Sequence, residues 1–359
     1  MPNCRRLSLP FIVVLALTGC TSEQTDSPEH PSPTATSASS ELEVVAQELE
    51  APWSLAFHKG VTLVSERDSG RILELDDHRP ARARSIATLE GVAAEGEGGL
   101  LGLAVDDDYL FAFVTAASGN EIRRYPLSGS PGHLSLGEPE VILDGIASAG
   151  FHNGGRLAFG PDGMHYATVG DAGNRDAAQD RDSLSGSILR MESGGGVPAD
   201  NPFEGSLVYS YGHRNPQGLD WTEDGTMYAS EFGQDTWDEL NVIEAGGNYG
   251  WPLVEGIADE GSTEGEDLID PVQQWSPDEA SPSGIAVSHD SILVANLRGE
   301  SLRRVPLSDT ADSTVEYTDE FGRIRDVATT PEGEVLLLTN NTDGRGDPAD
   351  GDDRILRIP

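Results

Sequence analysis

Six times between residues 41 and 359 the chain returns to one pattern. A short run of apolar and small residues is followed by a turn with Asp or Gly, a strand-forming run, a polar loop and a run with Arg or Leu. The opening runs are Trp53-Ser54-Leu55-Ala56-Phe57, Leu101-Gly102-Leu103-Ala104-Val105, Gly155-Arg156-Leu157-Ala158-Phe159, Gln217-Gly218-Leu219-Asp220-Trp221, Ser283-Gly284-Ile285-Ala286-Val287 and Ile324-Arg325-Asp326-Val327-Ala328. The closing runs include Arg71-Ile72-Leu73-Glu74-Leu75 and Arg354-Ile355-Leu356-Arg357-Ile358. No long helical period intervenes. A return every roughly 40–65 residues is the length of one small sheet. One such sheet cannot bury both faces. A ring of them can, and it hides most edges as well. The expected fold is therefore all-β: a six-bladed β-propeller of four-stranded antiparallel blades over 41–359, with an array of β-sandwiches as the alternative. Ala56, Gly102, Ala104, Ala158, Gly218, Gly284 and Ala286 suit a crowded inner wall, and Val44-Val45 could pair with the last blade and close the ring. The longest insertions, 170–187 and 244–280, are expected to build a site on one face.

Charge narrows the function classes. The chain carries 62 Asp+Glu against 23 Lys+Arg, a net charge of −39. A phosphate-tracking surface must be basic, so a general nucleic-acid binder is excluded. At the N-terminus Arg5-Arg6 precedes an apolar run from Leu7 to Leu17 that is too short for a ~20-residue membrane helix. It reads as a lipoprotein signal over 1–19, with Leu17-Thr18-Gly19-Cys20 as the lipobox; a twin-arginine signal fits the flanks less well. Cys20 would carry lipid, and the Ser/Thr/Pro-rich stretch 20–40 would be a tether without a core. The chain has 2 cysteines, so the processed protein would keep only the lipidated one, with no disulfide and no catalytic thiol. The expected location is the cell envelope, outside the cytoplasm, on the outer face of the cytoplasmic membrane or in the periplasm, held to the membrane only through that lipid.

Several polar stretches fall just before or between strand-like runs. His152, with Asp171 able to orient it, has the makings of a general base, though a lone histidine is commonly structural. Arg214-Asn215 offers a cationic fork and an amide, suited to carboxylates or carbonyls. The run from Glu231 to Glu239 and that from Gly246 to Pro252 set oxygens among glycine turns, as a Ca²⁺ site requires, but they lack the EF-hand spacing. Arg298, Arg323 and Arg325 occur at comparable points late in the chain. Converging arginines in an acidic protein imply an anionic ligand. The plain alternative pairs each with a nearby carboxylate.

These residues carry a resemblance. Glu97-Gly98-Gly99-Leu100-Leu101-Gly102, His152 with Gly155-Arg156-Leu157, Gly170-Asp171, Gly212 to Gly218, Gly246 to Pro252 and Arg323 to Val327 follow one another across about 45–359. In that order they resemble the soluble PQQ-dependent aldose sugar dehydrogenases of the glucose/sorbosone dehydrogenase group. The resemblance implies His152 as the base held by Asp171. It implies Glu97, Arg214, Asn215, Arg298, Arg323 and Arg325 at the PQQ site. It further implies calcium held by the carbonyls of Gly233 and Gln234, and a second calcium on Glu239 and the carbonyl of Tyr249. The reaction would be oxidation of an aldose at its anomeric carbon to a lactone, with electrons passed to an external acceptor, a quinone or cytochrome. Glu97 departs from the glutamine common in the family, and its carboxylate is expected to repel an anionic cofactor unless protonated or bound to calcium. Phe151 stands where the glucose enzyme has an acid, and the shorter loops look like the monomeric branch. A calcium-dependent lactonase-type hydrolase and a non-enzymatic surface binding propeller are the rival readings.

Overall fold

A computed structural model describes residues 42–258 and 267–359. The expected signal, Cys20 and the tether lie outside the described residues. Among the described residues, no helix is long and apolar enough to cross a membrane.

The chain folds into six antiparallel sheets joined in a ring, a six-bladed β-propeller. The first strands of blades 1 to 6 are Pro52–His58, Leu100–Asp106, Leu157–Phe159, Pro216–Trp221, Pro282–Ser288 and Ile324–Thr329. Each of these strands contacts the first strand of the next blade, and the sixth contacts the first. Their glycines explain themselves here. A side chain at Gly102 would run into the Gly155 carbonyl, and one at Gly284 into the Asp326 carboxylate. The core is not central. It consists of six apolar wedges, one between each pair of neighbouring blades, such as Phe111, Phe113, Ile122, Leu157, Val169 and Leu189 between blades 2 and 3.

Blade 6 takes its outermost strand from the other end of the chain. Glu43–Ala46 pairs with Ile355–Ile358, with Val44 opposite Leu356. The expected closure therefore forms. The run that closes each sequence repeat proves to be the third strand of its blade, as with Arg71–Leu75. The fourth strands, such as Ala83–Thr88 and Thr314–Glu316, are half-exposed and of mixed polarity, so they leave little apolar alternation to read.

The axis is filled. Arg156 of blade 3 reaches across to Asp326 of blade 6 at 3.0 Å, and its Nε donates to the Gln217 carbonyl of blade 4 at 2.9 Å. Its guanidinium lies over the Trp53 ring of blade 1, 4.6 Å from the centroid. Because the strands alternate in direction, the start of every first strand and the end of every second strand lie on the same face of the ring. That rule gathers His152, Arg214, Asn215, Arg323 and Arg325 with Arg67, Asp171, Gly233, Arg298 and Asp343.

Candidate active site

His152 comes first because its surroundings hold it from three sides. Its Nδ1 lies 2.7 Å from Asp171 Oδ1. Its N–H donates to Glu97 Oε2 at 3.0 Å, and its carbonyl accepts the Ala172 N–H at 3.1 Å. Its φ is +58°, a left-handed backbone that histidine tolerates better than most side chains. Gly170 makes this approach possible, since a side chain there would meet the His152 carbonyl.

Asp171 is fully buried. Burial alone would push its carboxyl up, but hydrogen bonds from His152, the Gly173 N–H and the Trp251 indole outweigh it and hold the group below its ordinary value. The Gly173 N–H donates to Oδ1 at 2.8 Å and Trp251 Nε1–H to Oδ2 at 2.9 Å. An ionised Asp171 accepts only, so the proton between the pair sits on His152 Nδ1. Nε2 is left as the free lone pair, and it has no hydrogen bond among the described residues. Phe151, half-exposed, sets its ring 4.7 Å from the imidazole in a T-shaped contact.

The cations come from blades 1, 4 and 6. Arg214 donates to the Phe232 and Gly233 carbonyls at 3.1 and 2.5 Å, while Asn215 Oδ1 accepts the Gly154 N–H at 3.0 Å. Both residues are placed by Glu231, whose carboxylate accepts their backbone N–H groups and His213 Nδ1. Arg323 and Arg325 converge on Asp343 at 3.2 and 3.8 Å, and Arg67 Nη2 donates to the Asp343 carbonyl at 3.3 Å. Burial lowers Arg325 to about 9, with Arg323 and Arg67 pressing the same way and Asp343 and Glu97 opposing; it stays protonated at neutral pH. Arg214 Nε, Asn215 Nδ2, Arg323 Nε and Arg325 Nε are buried without a partner. All four are donors. Unsatisfied donors on three arginines and one amide fit a carboxylate-bearing anion.

Two of the expected cofactor contacts are paired with other side chains. The Glu97 carboxylate comes with its own cation, Arg345. Burial would raise its carboxyl, but Arg345 at 2.8 Å and the His152 N–H hold it below the ordinary range. Arg298 does not join the cluster in the described contacts: its side chain is 62% exposed and pairs with Asp278 at 2.5 Å.

The proposed metal ligands divide into two places. The Gly233 carbonyl faces the Arg214 guanidinium, an orientation that also suits a cation. Its loop is held by Glu255, whose Oε1 accepts the N–H groups of Gln234, Asp235, Thr236 and Trp237 at 2.7 to 3.1 Å. Glu239 is buried and faces Glu231 across the strand pair. Burial, with the charge of Glu231, pushes its carboxyl well above the carboxylate range. Asn241 Oδ1 beside it has no partner. A buried carboxylate and an unused amide oxygen fit a hard cation. No cluster of three acidic, His or Cys side chains stands ready for a metal among the described residues, so a cation there would need other oxygens as well, such as backbone carbonyls.

Arg67, Glu255, Asp343 and Arg345 do not stand out in the sequence as site residues, and Glu231 does so only as the start of an acidic run. Arg67, Asp343 and Arg345 lie in the segments that follow second strands, as Asp171 does, and that recurrence was the available signal.

Comparison with known proteins gives one consistent answer. Residues 49–356 match the Glucose / Sorbosone dehydrogenase family. The aldose sugar dehydrogenase YliI of Escherichia coli K12 is 30% identical over 354 residues, 86% of this chain and 92% of that one. The quinoprotein glucose dehydrogenase B of Acinetobacter calcoaceticus is 32% identical over 265 residues, covering 63% of this chain and 55% of that one. The PQQ-bound aldose sugar dehydrogenase of Streptomyces coelicolor superposes with a TM-score of 0.81 at 48% identity, over 88% of this chain and 97% of that one.

Proposed function

We infer the function from one premise: the chain belongs to the glucose/sorbosone dehydrogenase family. It is an oxidoreductase of the sugar-dehydrogenase class. Its cofactor on this reading is PQQ, the group named in the Streptomyces relative's bound form. The observation that carries the cofactor is the set of partnerless buried donors on Arg214, Asn215, Arg323 and Arg325. Bound there, PQQ would supply a two-electron acceptor for hydride, and its carboxylates would meet those donors.

The chain's own residues do the remaining work. Asp171, ionised, keeps the His152 proton on Nδ1 and orients the ring. Nε2 takes the proton from the anomeric hydroxyl of an aldose as the lactone forms. Trp251 and the Gly173 N–H fix Asp171 so that it does not turn away. Arg67, Arg323 and Arg325 give the anion its place, and Asp343 spreads their charge until it arrives. Calcium, on this reading, sits at the Gly233 and Gln234 carbonyls, and a second ion at Glu239 and the Tyr249 carbonyl. Electrons leave to an external quinone or cytochrome, and the protein works as a monomer on the cell envelope.

The test uses the protein without residues 1–20. PQQ and Ca²⁺ are added, and dye reduction is followed over a panel of aldoses, with EDTA and no-PQQ controls. Sugar-dependent reduction that needs both additions is expected. General-base help is typically worth about 10²–10⁴-fold, so His152→Asn should lose kcat by that order while PQQ still binds. Failure of PQQ to bind would overturn the cofactor, and unchanged turnover in His152→Asn would remove the base.

A further inference from the structure

Glu97 lies three residues before the first strand of blade 2 and Arg345 in the loop after the second strand of blade 6, 248 positions apart. The Glu97 carboxylate divides its oxygens between two partners. Oε1 accepts from Arg345 Nη1 at 2.8 Å, and Oε2 accepts the His152 N–H at 3.0 Å. Its own N–H donates to the Gly150 carbonyl at 3.0 Å, so the two segments are tied twice. The Glu97 side chain is 17% exposed and that of Arg345 is 50% exposed. A carboxylate so covered needs a counter-charge. Arg214 and Arg325 feel its charge, but neither hydrogen-bonds to it.

We propose that Glu97 is a positioning residue for His152 and not a contact of the cofactor, and that Arg345 is the counter-charge that keeps it so. The proposal rests on His152 being the base. A non-glycine residue at φ +58° stays there because its surroundings hold it. Of the three holds on His152, the one on its N–H is the one that blade 6 controls. With that N–H released, the peptide can relax toward an ordinary conformation and carry Nε2 away from the substrate's hydroxyl. An amide at position 97 could accept the same N–H without any cation. The carboxylate in this chain makes the geometry depend on a half-exposed arginine from the far end of the sequence.

The first readout needs no cofactor: amide hydrogen exchange of His152 in the unloaded protein, followed by NMR, with the Leu189 amide of blade 3 as internal reference. Glu97→Ala should speed His152 exchange by about tenfold, the loss of one hydrogen bond. Glu97→Gln should stay close to the parent. Arg345→Ala should speed exchange in the parent and have no effect in Glu97→Gln. With PQQ and Ca²⁺, kcat should fall in the same order while KM for the sugar changes less than twofold. Should Glu97→Ala lose protection at Leu189 too, the half-exposed Arg345 change in both backgrounds decides alone. Equal effects of Arg345→Ala in the two backgrounds, or none in either, would overturn the proposal. If the exchange pattern holds but no sugar is oxidised, the pair stands and the dehydrogenase reading fails.

Discussion

At the residue scale the chemistry depends on which atoms are ionised. Asp171 is the clearest case, because three donors hold its carboxyl below the ordinary value against burial. Asp171→Asn keeps the shape but can present an N–H to His152 Nδ1. The imidazole would then hold its proton on Nε2, the wrong nitrogen for a base. kcat should fall about 10²-fold or more with PQQ affinity within about twofold, measured by steady-state kinetics and cofactor titration. Glu239 has the opposite sign. Its raised carboxyl binds a proton in the folded state that the unfolded chain gives up near pH 4.5. The metal-free protein should therefore lose stability as pH climbs from that value through the raised one. Calcium should remove the slope. Thermal melts from pH 5 to 8, with EDTA and with Ca²⁺, check this; an equal calcium effect at every pH would exclude Glu239 as a ligand.

At the scale of strands and blades, the inner wall decides what each element tolerates. Arg156 ties blade 3 to Asp326 of blade 6, and Asp326 also accepts the Leu55 N–H at 3.0 Å. Removing the cation leaves that carboxylate buried and uncompensated. Arg156→Met should cost about 3–5 kcal/mol in urea unfolding. The double change with Asp326→Leu should cost less than the sum of the single changes, because neither buried charge is then left alone. The elements that were easy to read in the sequence were these first strands. Their small residues recur because a neighbouring backbone lies against them, as the Gly155 carbonyl does against Gly102. The outer strands were hard to read because no face of them is fully buried, so no alternation marks them, as in Ala83–Thr88. The candidate site shows the same division. His152, Arg214 and Arg325 stood out as polar groups at the starts of apolar runs. Glu255 did not: its role is to bind four backbone N–H groups some twenty residues away in sequence, and no local pattern announces that.

At the scale of the whole molecule, closure is the central fact. The strand Glu43–Ala46 covers the edge of Ile355–Ile358 and joins the two ends of the described chain. Val45 and Ala46 are also buried in the wedge between blades 6 and 1. Beginning the chain at residue 48 should expose that edge and open the wedge. The melting temperature should fall by several degrees and the protein should aggregate on heating, measured by calorimetry with light scattering. Unchanged melting would mean that the ring closes without its strap.

What the sequence determined by itself was periodic or local. A unit recurring six times, too small to bury itself, must stack, and small residues at one register must face a crowded wall. A histidine, an Arg-Asn pair and late arginines at the starts of those units mark one face. What only the tertiary structure decided were the partners: Arg345 for Glu97 across 248 positions, Asp326 for Arg156 across 170, and Asp278 for Arg298. The physical reason is that repetition is written residue by residue along the chain. The contacts between blades that lie far apart in sequence are set by the curvature that closes the ring.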